Sequence, residues 1–346
     1  MTQASTAVAP VASDLEATIQ WAVGQRDRVR QLAAEAIAQG VRAVWFTGCG
    51  GSVYASSPAG YLLTRKGRAL ASFRMNADEL NHARPAALGG QSLVLASSHS
   101  GKTPETLEAA ATARSLGAWR VVAFTRSSES PLAATADEVF AYGSEHTVWE
   151  PKQVLYGYLA HALLAGAGDE PGADEDAAAA GYAALPGAIG HAIAQADPLL
   201  ASIAAELAGE PIVYVLGAGP SEDVARCLAM CYLQEMQWRH AAAFNAGEFF
   251  HGAFEMITER MPVLLFMGED ETRPVAQRAS RFLDRYTRRA FRVDSAELEL
   301  PGVPAACRAE IGPIVLGALS YRLAQHYEAI TGHSLENRRY MFKVDY

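Results

Sequence analysis

Residues 93–103 read Leu-Val-Leu-Ala-Ser-Ser-His-Ser-Gly-Lys-Thr, and this stretch decides the fold. An apolar run from Leu93 to Ala96 stops at small hydroxyl residues, and a helical segment opens at Thr103. A strand that feeds such a loop presents unpaired amides, hydroxyl groups and the positive end of a helix to one point. Because the GxxxxGK[ST] and GxGxxG patterns of nucleotide-binding loops are missing, the stretch predicts a site for a single phosphate monoester. The alternative is an ordinary capped turn between a strand and a helix.

The order of strand, glycine-containing loop and helix recurs along the chain. Residues 41–47 form a predicted buried strand before Gly48-Cys49-Gly50-Gly51-Ser52, and residues 211–216 form another before Gly217-Ala218-Gly219-Pro220-Ser221. Such alternation predicts an α/β fold, in which parallel sheets carry helices on both faces and ligands sit at the carboxyl ends of the strands. The second half therefore repeats the architecture of the first.

Two features mark the ends of the halves. Ser13-Asp14-Leu15-Glu16 matches a capping box and predicts one opening helix that extends to Gly40. Residues 166–176 are rich in Gly, Asp, Glu and Pro and are predicted to be the linker between the halves. Pro151 is placed to start the helix before that linker, as a proline of the first turn. Residues 1–12 are expected to be a disordered tail.

The composition limits the classes of partner. The 346 residues carry a net charge of -9, so neither nucleic acid nor an anionic membrane surface is expected as a partner. The four cysteines form no CxxC pair, which fits a reducing cytoplasm better than a disulfide framework. Cys227 and Cys231 lie four residues apart, but nearby side chains complete no metal-binding set, so no metal is predicted. No apolar run approaches the length of a membrane span, and the N-terminus lacks signal-peptide features. We expect a cytoplasmic protein.

Glu235 is a carboxylate in an apolar pattern. A carboxylate on a buried helix face has a raised pKa, which suits a general base near neutral pH. The alternative is a side chain at a helix end that reaches water or pairs with Arg239. The aromatic segment that follows carries His251, which is a candidate acid or a packed loop residue. In the helix predicted from Ser221, Glu235 lies on the same face as three apolar residues. The four positions follow one another at intervals of four, three and four residues: Val224, Leu228, Cys231 and Glu235.

These motifs, in this order, resemble the sugar isomerase (SIS) family over residues 41–346. They resemble the isomerase half of glucosamine-6-phosphate synthase and, more closely, the fructosamine (fructoselysine) 6-phosphate deglycases. The resemblance implies two tandem doubly wound, flavodoxin-like SIS subdomains at residues 13–165 and 177–333, with a C-terminal tail at 334–346 that closes the active site. The pattern of the synthase's glutaminase domain is not found, so glucosamine 6-phosphate synthesis from glutamine is not expected. The motifs are Gly48 to Ser52, Ser98 to Thr103, Gly143-Ser144-Glu145 leading to Lys152, Glu235 through Gly252, and Arg338-Arg339-Tyr340-Met341-Phe342-Lys343.

The same resemblance implies roles for individual residues. Glu235 is the expected general base, and His251, reaching in from a neighbouring subunit, the expected acid. Lys343 matches a lysine that forms a Schiff base with the sugar in the synthase. Glu150 replaces a serine in the third substrate loop, and Tyr232 stands where the synthase has another active-site lysine. The residues expected to bind the substrate through its phosphate and sugar are Gly50, Gly51, Ser52, Ser98, His99, Ser100, Thr103, Glu150 and Lys343.

The activity implied is deglycation of a 6-phosphorylated Amadori product to glucose 6-phosphate and a free amine, without a cofactor. The resemblance also implies that the protein is a homodimer or higher homo-oligomer with shared active sites. A ketose–aldose isomerase or a deaminase of an amino-sugar phosphate is the nearest alternative. A sugar-phosphate sensor without catalysis is the other. The acidic charge, the missing helix-turn-helix segment and the presence of both Glu235 and His251 favour an enzyme over a sensor.

Overall fold

The computed structural model describes residues 7–341, 343 and 344 of the chain. The described chain divides into two compact units. The N-terminal unit comprises residues 12–186 and 302–307, and the C-terminal unit comprises residues up to 11, 187–301 and 308 onwards. Parts of both predicted tails, residues 1–6, 342, 345 and 346, lie outside the described residues.

The N-terminal unit is built on a parallel sheet of five strands in the order β2-β1-β3-β4-β5. β1 and β3 are buried along their whole length, because they lie inside the sheet and helices cover both faces. Alanine side chains on the helix Pro104–Ser115, such as Ala109 and Ala113, pack against Val94 and Val121 of the sheet. The strands are β1 (Ala43–Gly48), β2 (Ala71–Asn76), β3 (Ser92–Ser97), β4 (Arg120–Thr125) and β5 (Glu138–Ala141).

Nine helices accompany the described part of this sheet. Pro151 lies in the first turn of α8, as its position in the sequence predicts. The ninth helix crosses from one unit into the other, and residues 168–171 of the predicted linker separate it from α8. The helices are α1 (Leu15–Val23), α2 (Arg26–Ala38), α3 (Gly51–Tyr54), α4 (Ser57–Lys66), α5 (Ala77–Ala83), α6 (Pro104–Ser115), α7 (Pro131–Thr135), α8 (Glu150–Ala167) and α9 (Gly172–Leu207).

The start of the chain differs from its prediction. The opening helix is two helices, α1 and α2, and the capping-box prediction is wrong. Asp14 is the N-cap residue of α1, but its carboxylate makes no capping hydrogen bond. That carboxylate instead accepts hydrogen bonds from Ser144 Oγ at 2.6 Å and Thr147 Oγ1 at 3.2 Å. It therefore ties the helix start to the loop after β5.

The C-terminal unit repeats the plan with four parallel strands in the order β7-β6-β8-β9. This is the order of the first sheet without its last strand, 2-1-3-4 against 2-1-3-4-5, and it is the order of flavodoxin-like folds. The predicted α/β class and its duplication are therefore confirmed. The elements are β6 (Val213–Gly217), α10 (Pro220–Cys227), β7 (Ala241–Asn245), β8 (Val263–Met267), α11 (Arg273–Tyr286), β9 (Ala290–Asp294) and α12 (Arg308–Thr331), with a π-helix at Leu228–Met236 and short 3-10 helices at Glu248–His251, Ala253–Met256, Ser295–Glu297 and Ala305–Cys307.

Two helices differ from their predictions. The helix predicted from Ser221 through Glu235 is α-helical only to Cys227 and continues as the π-helix, in which hydrogen bonds span five residues instead of four. The second helix is α9. By length and composition Asp174–Leu207 is long and apolar enough to cross a membrane, whereas the sequence was predicted to contain no apolar run of that length. In its most apolar stretch 56% is buried inside the protein, as in core helices of soluble proteins.

Candidate active site

Strand pairing brings two of the predicted substrate loops to the same edge of the N-terminal sheet. β1 and β3 are parallel neighbours in which Gly48 pairs with Ser97, so the loops that follow them leave the sheet side by side. The backbones meet closely there: a Cβ added to Gly48 would lie 2.5 Å from the Ser97 carbonyl oxygen. Gly50, Gly51 and Ser52 therefore lie beside the loop that begins at Ser98.

The second loop holds its hydroxyl groups around one point. Ser98 is 2% exposed, and its Oγ lies 2.8 Å from Thr103 Oγ1 and accepts a hydrogen bond from Gly101 N at 3.1 Å. Ser100 Oγ accepts a hydrogen bond from Lys102 N at 3.2 Å. Gly101 has φ of +64°, a conformation that side chains oppose, and thereby lets the loop reverse before α6. Two adjacent hydroxyl groups at the start of a helix are suited to donate to a phosphate.

His99 lies in this loop as a neutral side chain. Its Nδ1 is 2.8 Å from the Tyr142 hydroxyl, and the two rings stack with centroids 5.8 Å apart. Burial, and to a smaller extent the positive charges of Lys152 and Arg126 and the neighbouring His146, together lower the pKa of His99 to about 4. At neutral pH the imidazole is uncharged, so it acts here as a hydrogen-bonding group and not as a cation.

The third predicted substrate loop leads into α8, which begins with a buried carboxylate. Glu150 is 8% exposed at the start of the helix, and burial raises the pKa of its carboxyl group. Backbone N–H groups of the same turn and the nearby Lys152 favour the charged form, whereas Asp14 opposes it. Lys152 is fully buried, and its ammonium group lies 6.0 Å from the centre of the Tyr142 ring. Tyr142 thus connects His99 with the third loop.

The C-terminal unit repeats one glycine conformation of the first loop, but the loop beside it is acidic. Gly219 has φ of 52° and ψ of -133°, against 52° and -132° for Gly50. The neighbouring loop, after β8, reads Gly-Glu-Asp-Glu-Thr at residues 268–272, where the first unit has serines and a histidine. The carboxylate of Asp270 accepts a hydrogen bond from Thr272 N at 2.9 Å, so a negative charge already occupies the helix start. This second loop therefore disfavours a phosphate.

Glu235 lies on the π-helix of the C-terminal unit. Its side chain is 24% exposed, and its Oε1 lies 3.0 Å from Nε of Arg338. Burial raises the pKa of Glu235, and the Arg338 charge acts in the opposite direction. π-helical turns recur at functional sites because they redirect side chains. The predicted general base is thus a partly desolvated carboxylate with a cationic partner.

The two remaining predicted groups are at the surface of this unit. His251 is exposed at the end of the 3-10 helix Glu248–His251. No hydrogen bond or ion pair joins His251 to Glu235 among the residues that the structure describes. Lys343 is exposed, and its ammonium group donates to the backbone carbonyl of Arg338.

Three neighbours of the predicted site residues have no role assigned from the sequence: Tyr142, Lys152 and Arg338. Lys152 and Arg338 lie within the motifs that carry the resemblance, and Tyr142 directly precedes the third-loop motif that begins at Gly143. The side chain of Arg338 is only 16% exposed. Within residues 7–341, 343 and 344, no group of three or more His, Cys, Asp or Glu side chains is arranged to hold a metal ion.

Comparison with known proteins adds the family context. The SIS domain family matches residues 37–154 and 206–288. The chain is 34% identical to the fructosamine deglycase FrlB of Bacillus subtilis over 312 residues, 88% of this chain and 92% of the relative. It is 26% identical to the fructoselysine 6-phosphate deglycase of Escherichia coli K12, over 90% of this chain and 89% of the relative.

Solved structures agree on the fold. A crystal structure from Bacillus subtilis, described as a phosphosugar isomerase, has a TM-score of 0.87 and 32% identity and covers 94% of this chain and all of its own. The C-terminal domain of glucosamine-fructose-6-phosphate aminotransferase from Francisella tularensis has a TM-score of 0.75 at 15% identity, over 91% of this chain and 94% of that one. The latter likeness concerns the fold alone.

Proposed function

The chain belongs to the SIS domain family, and from this we propose that it is a deglycase of 6-phosphorylated Amadori products. The substrate is a 1-amino-1-deoxyfructose 6-phosphate, and the products are glucose 6-phosphate and a free amine. The observation that carries the proposal is the 34% identity to a fructosamine deglycase across 92% of that relative. The hydroxyl-lined loop of the N-terminal unit supplies the phosphate-binding geometry that such a substrate requires.

The loops of the N-terminal unit bind the phosphorylated sugar. Ser98 and Thr103 donate to the phosphate, together with Ser52 and Ser100, and the glycines of the first loop let the backbone approach it. His99 adds a neutral hydrogen-bonding group, because its lowered pKa keeps it unprotonated at neutral pH. Glu150 contacts the substrate from the third loop. These roles give the loops affinity for the sugar phosphate without a metal or a cofactor.

Glu235 and His251 carry the proton transfers. Glu235 removes a proton from C1 while His251 protonates the carbonyl oxygen at C2, which gives an enaminol. Return of the proton to C2 produces the imine of glucose 6-phosphate, and water hydrolyses this imine to the aldose phosphate and the amine. Lys343 contacts the sugar and need not form a Schiff base, because the substrate already carries its nitrogen.

The proposed active site is shared between subunits. His251 reaches the active site of a neighbouring subunit, so the protein acts as a homodimer or higher homo-oligomer. Its exposed position in a single chain supports this assignment. The C-terminal tail closes the active site. We place the enzyme in the cytoplasm, without a nucleic-acid or membrane partner.

Substitution of the base tests the chemistry. Glu235→Gln removes the proton acceptor and keeps the size of the side chain, and general acid–base groups contribute about 10²–10⁴ in rate. We expect kcat to fall by that order with KM nearly unchanged. Glu255→Gln, an exposed carboxylate on the next 3-10 helix, is the matched control. Wild-type turnover in Glu235→Gln would remove Glu235 from the mechanism.

A further inference from the structure

The segment after α12 is anchored to the residues that follow the π-helix. Gln237 Nε2 donates to the carbonyl oxygen of His333, and Gln237 Oε1 accepts from Thr331 Oγ1 at 2.9 Å. The backbone N of Leu335 donates to Glu328 Oε1 at 2.9 Å. These bonds lie on both sides of the turn that leaves α12, so the segment has a fixed path beside the π-helix instead of forming a solvated tail.

This path places the guanidinium group of Arg338 beside the carboxylate of Glu235. Nη1 of Arg338 donates to the carbonyl oxygens of Leu335 at 2.7 Å and Asn337 at 2.9 Å, so the segment's own backbone holds the group. Its Nε lies 3.0 Å from Glu235 Oε1, in an ion pair with imperfect hydrogen-bond alignment. Both side chains are at least three-quarters buried. Because the cation is already positioned, little side-chain freedom is lost in forming the pair.

Burial and the cation act against each other at Glu235. Burial favours the protonated carboxyl group, which cannot accept a proton from the substrate. The charge of Arg338 favours the ionised form. A general base needs both influences, since it must be ionised before the reaction and still basic enough to take a proton.

We propose that Arg338 is the positioning counter-ion of Glu235, which holds the carboxylate in one orientation and in its ionised form before proton transfer. The inference rests on the proposed role of Glu235 as the base. The proposed role of Arg338 depends on the charge of its side chain and not on a contribution to the stability of the fold. Lys343 supports the arrangement from outside, because its ammonium group donates to the carbonyl oxygen of Arg338.

The pH profile of kcat/KM with fructoselysine 6-phosphate tests the proposal. In Arg338→Gln the carboxylate loses its cation, so kcat/KM falls by about tenfold on the acidic side of the profile and recovers as the pH rises. Arg338→Lys restores part of the loss, because it keeps the charge without the geometry of the guanidinium group. A reduction that is equal at every pH, or an unchanged profile, would overturn the proposal.

Arg339→Gln is the matched control. The guanidinium carbon of Arg339 lies 4.3 Å from the centre of the Trp238 ring, one residue further along the same segment, and it makes no ion pair with Glu235 in the described chain. The control therefore separates the effect of removing any cation from this segment from the effect of removing the cation beside Glu235. We expect the pH profile of Arg339→Gln to match that of the wild type.

A direct titration separates this inference from the proposed activity. The Glu235 carboxyl signal is followed by NMR in protein labelled with ¹³C-glutamate and is identified by its loss in Glu235→Gln. Its midpoint moves to higher pH in Arg338→Gln if Arg338 is the counter-ion. An unmoved midpoint refutes the inference even if the protein is a deglycase. An inactive wild-type protein with a moved midpoint refutes the activity and leaves the ion pair established.

Discussion

The neutral state of His99 predicts how stability changes with pH. The pKa of His99 is lowered in the folded protein to about 4, against an ordinary value of 6.5. Between these values the unfolded chain binds a proton at this position and the folded chain does not. Stability therefore falls as the pH drops below 6.5, and the loss is complete near pH 4. For this difference in pKa, linkage gives a loss of about 2 kcal/mol between pH 7 and pH 5.

His99→Asn removes the titrating group and keeps a polar atom near Nδ1, where it can bond to the Tyr142 hydroxyl. Unfolding free energies from urea titrations at pH 7 and pH 5 should show that the variant loses about 2 kcal/mol less than the wild type over this interval. His82→Asn is the control, since the His82 side chain is 81% exposed. Equal losses in wild type and His99→Asn, within about 0.5 kcal/mol, would refute the account of this loop.

Three further predictions concern the loops. Gly101→Ala should destabilise the protein by about 1–3 kcal/mol more than Gly117→Ala. Both glycines have positive φ, but the new Cβ lies 2.4 Å from Ser130 at position 101 and meets nothing within 4 Å at position 117. Equal denaturation midpoints of the two variants would contradict this prediction. Ser98→Ala combined with Ser100→Ala should raise KM by about tenfold or more with kcat little changed, and steady-state kinetics with an unchanged KM would exclude phosphate binding there. Calorimetric titration with glucose 6-phosphate should give one site per chain, because Asp270 fills the second loop, and two sites would contradict that argument.

The predicted architecture succeeded where strands are buried on both faces. Residues 43–46 and 93–96 are apolar because their strands lie inside the sheet, and the strands predicted at 41–47 and 93–96 match β1 and β3 closely. No strand was predicted at β2 or β7, which lie at the edges of their sheets, where one side lacks a strand partner and most positions are only partly buried. β2 has no apolar run that would reveal it, and the apolar run of β7 consists mostly of alanine, which is depleted in strands.

The candidate site was predictable in its local parts only. Loop residues such as Ser98 and Thr103 follow one another in the chain, so a strand-to-helix turn was enough to group them. The pairing of Glu235 with Arg338 joins a helix to a distant C-terminal segment, and no local pattern encodes it. The π-helix was also hidden, because its residues read as an ordinary amphipathic helix. Contacts of this kind depend on the tertiary path of the chain.

The most direct test of the proposed activity is an assay of the purified protein with fructoselysine 6-phosphate and a small panel of other phosphorylated Amadori compounds. Release of glucose 6-phosphate is coupled to its dehydrogenase and followed by absorbance. The account predicts turnover of at least one compound, with equal amounts of glucose 6-phosphate and free amine, and its loss in Glu235→Gln. No release from any member of the panel, while glucose 6-phosphate or fructose 6-phosphate still binds, would contradict the deglycase assignment and favour an isomerase or a sugar-phosphate sensor.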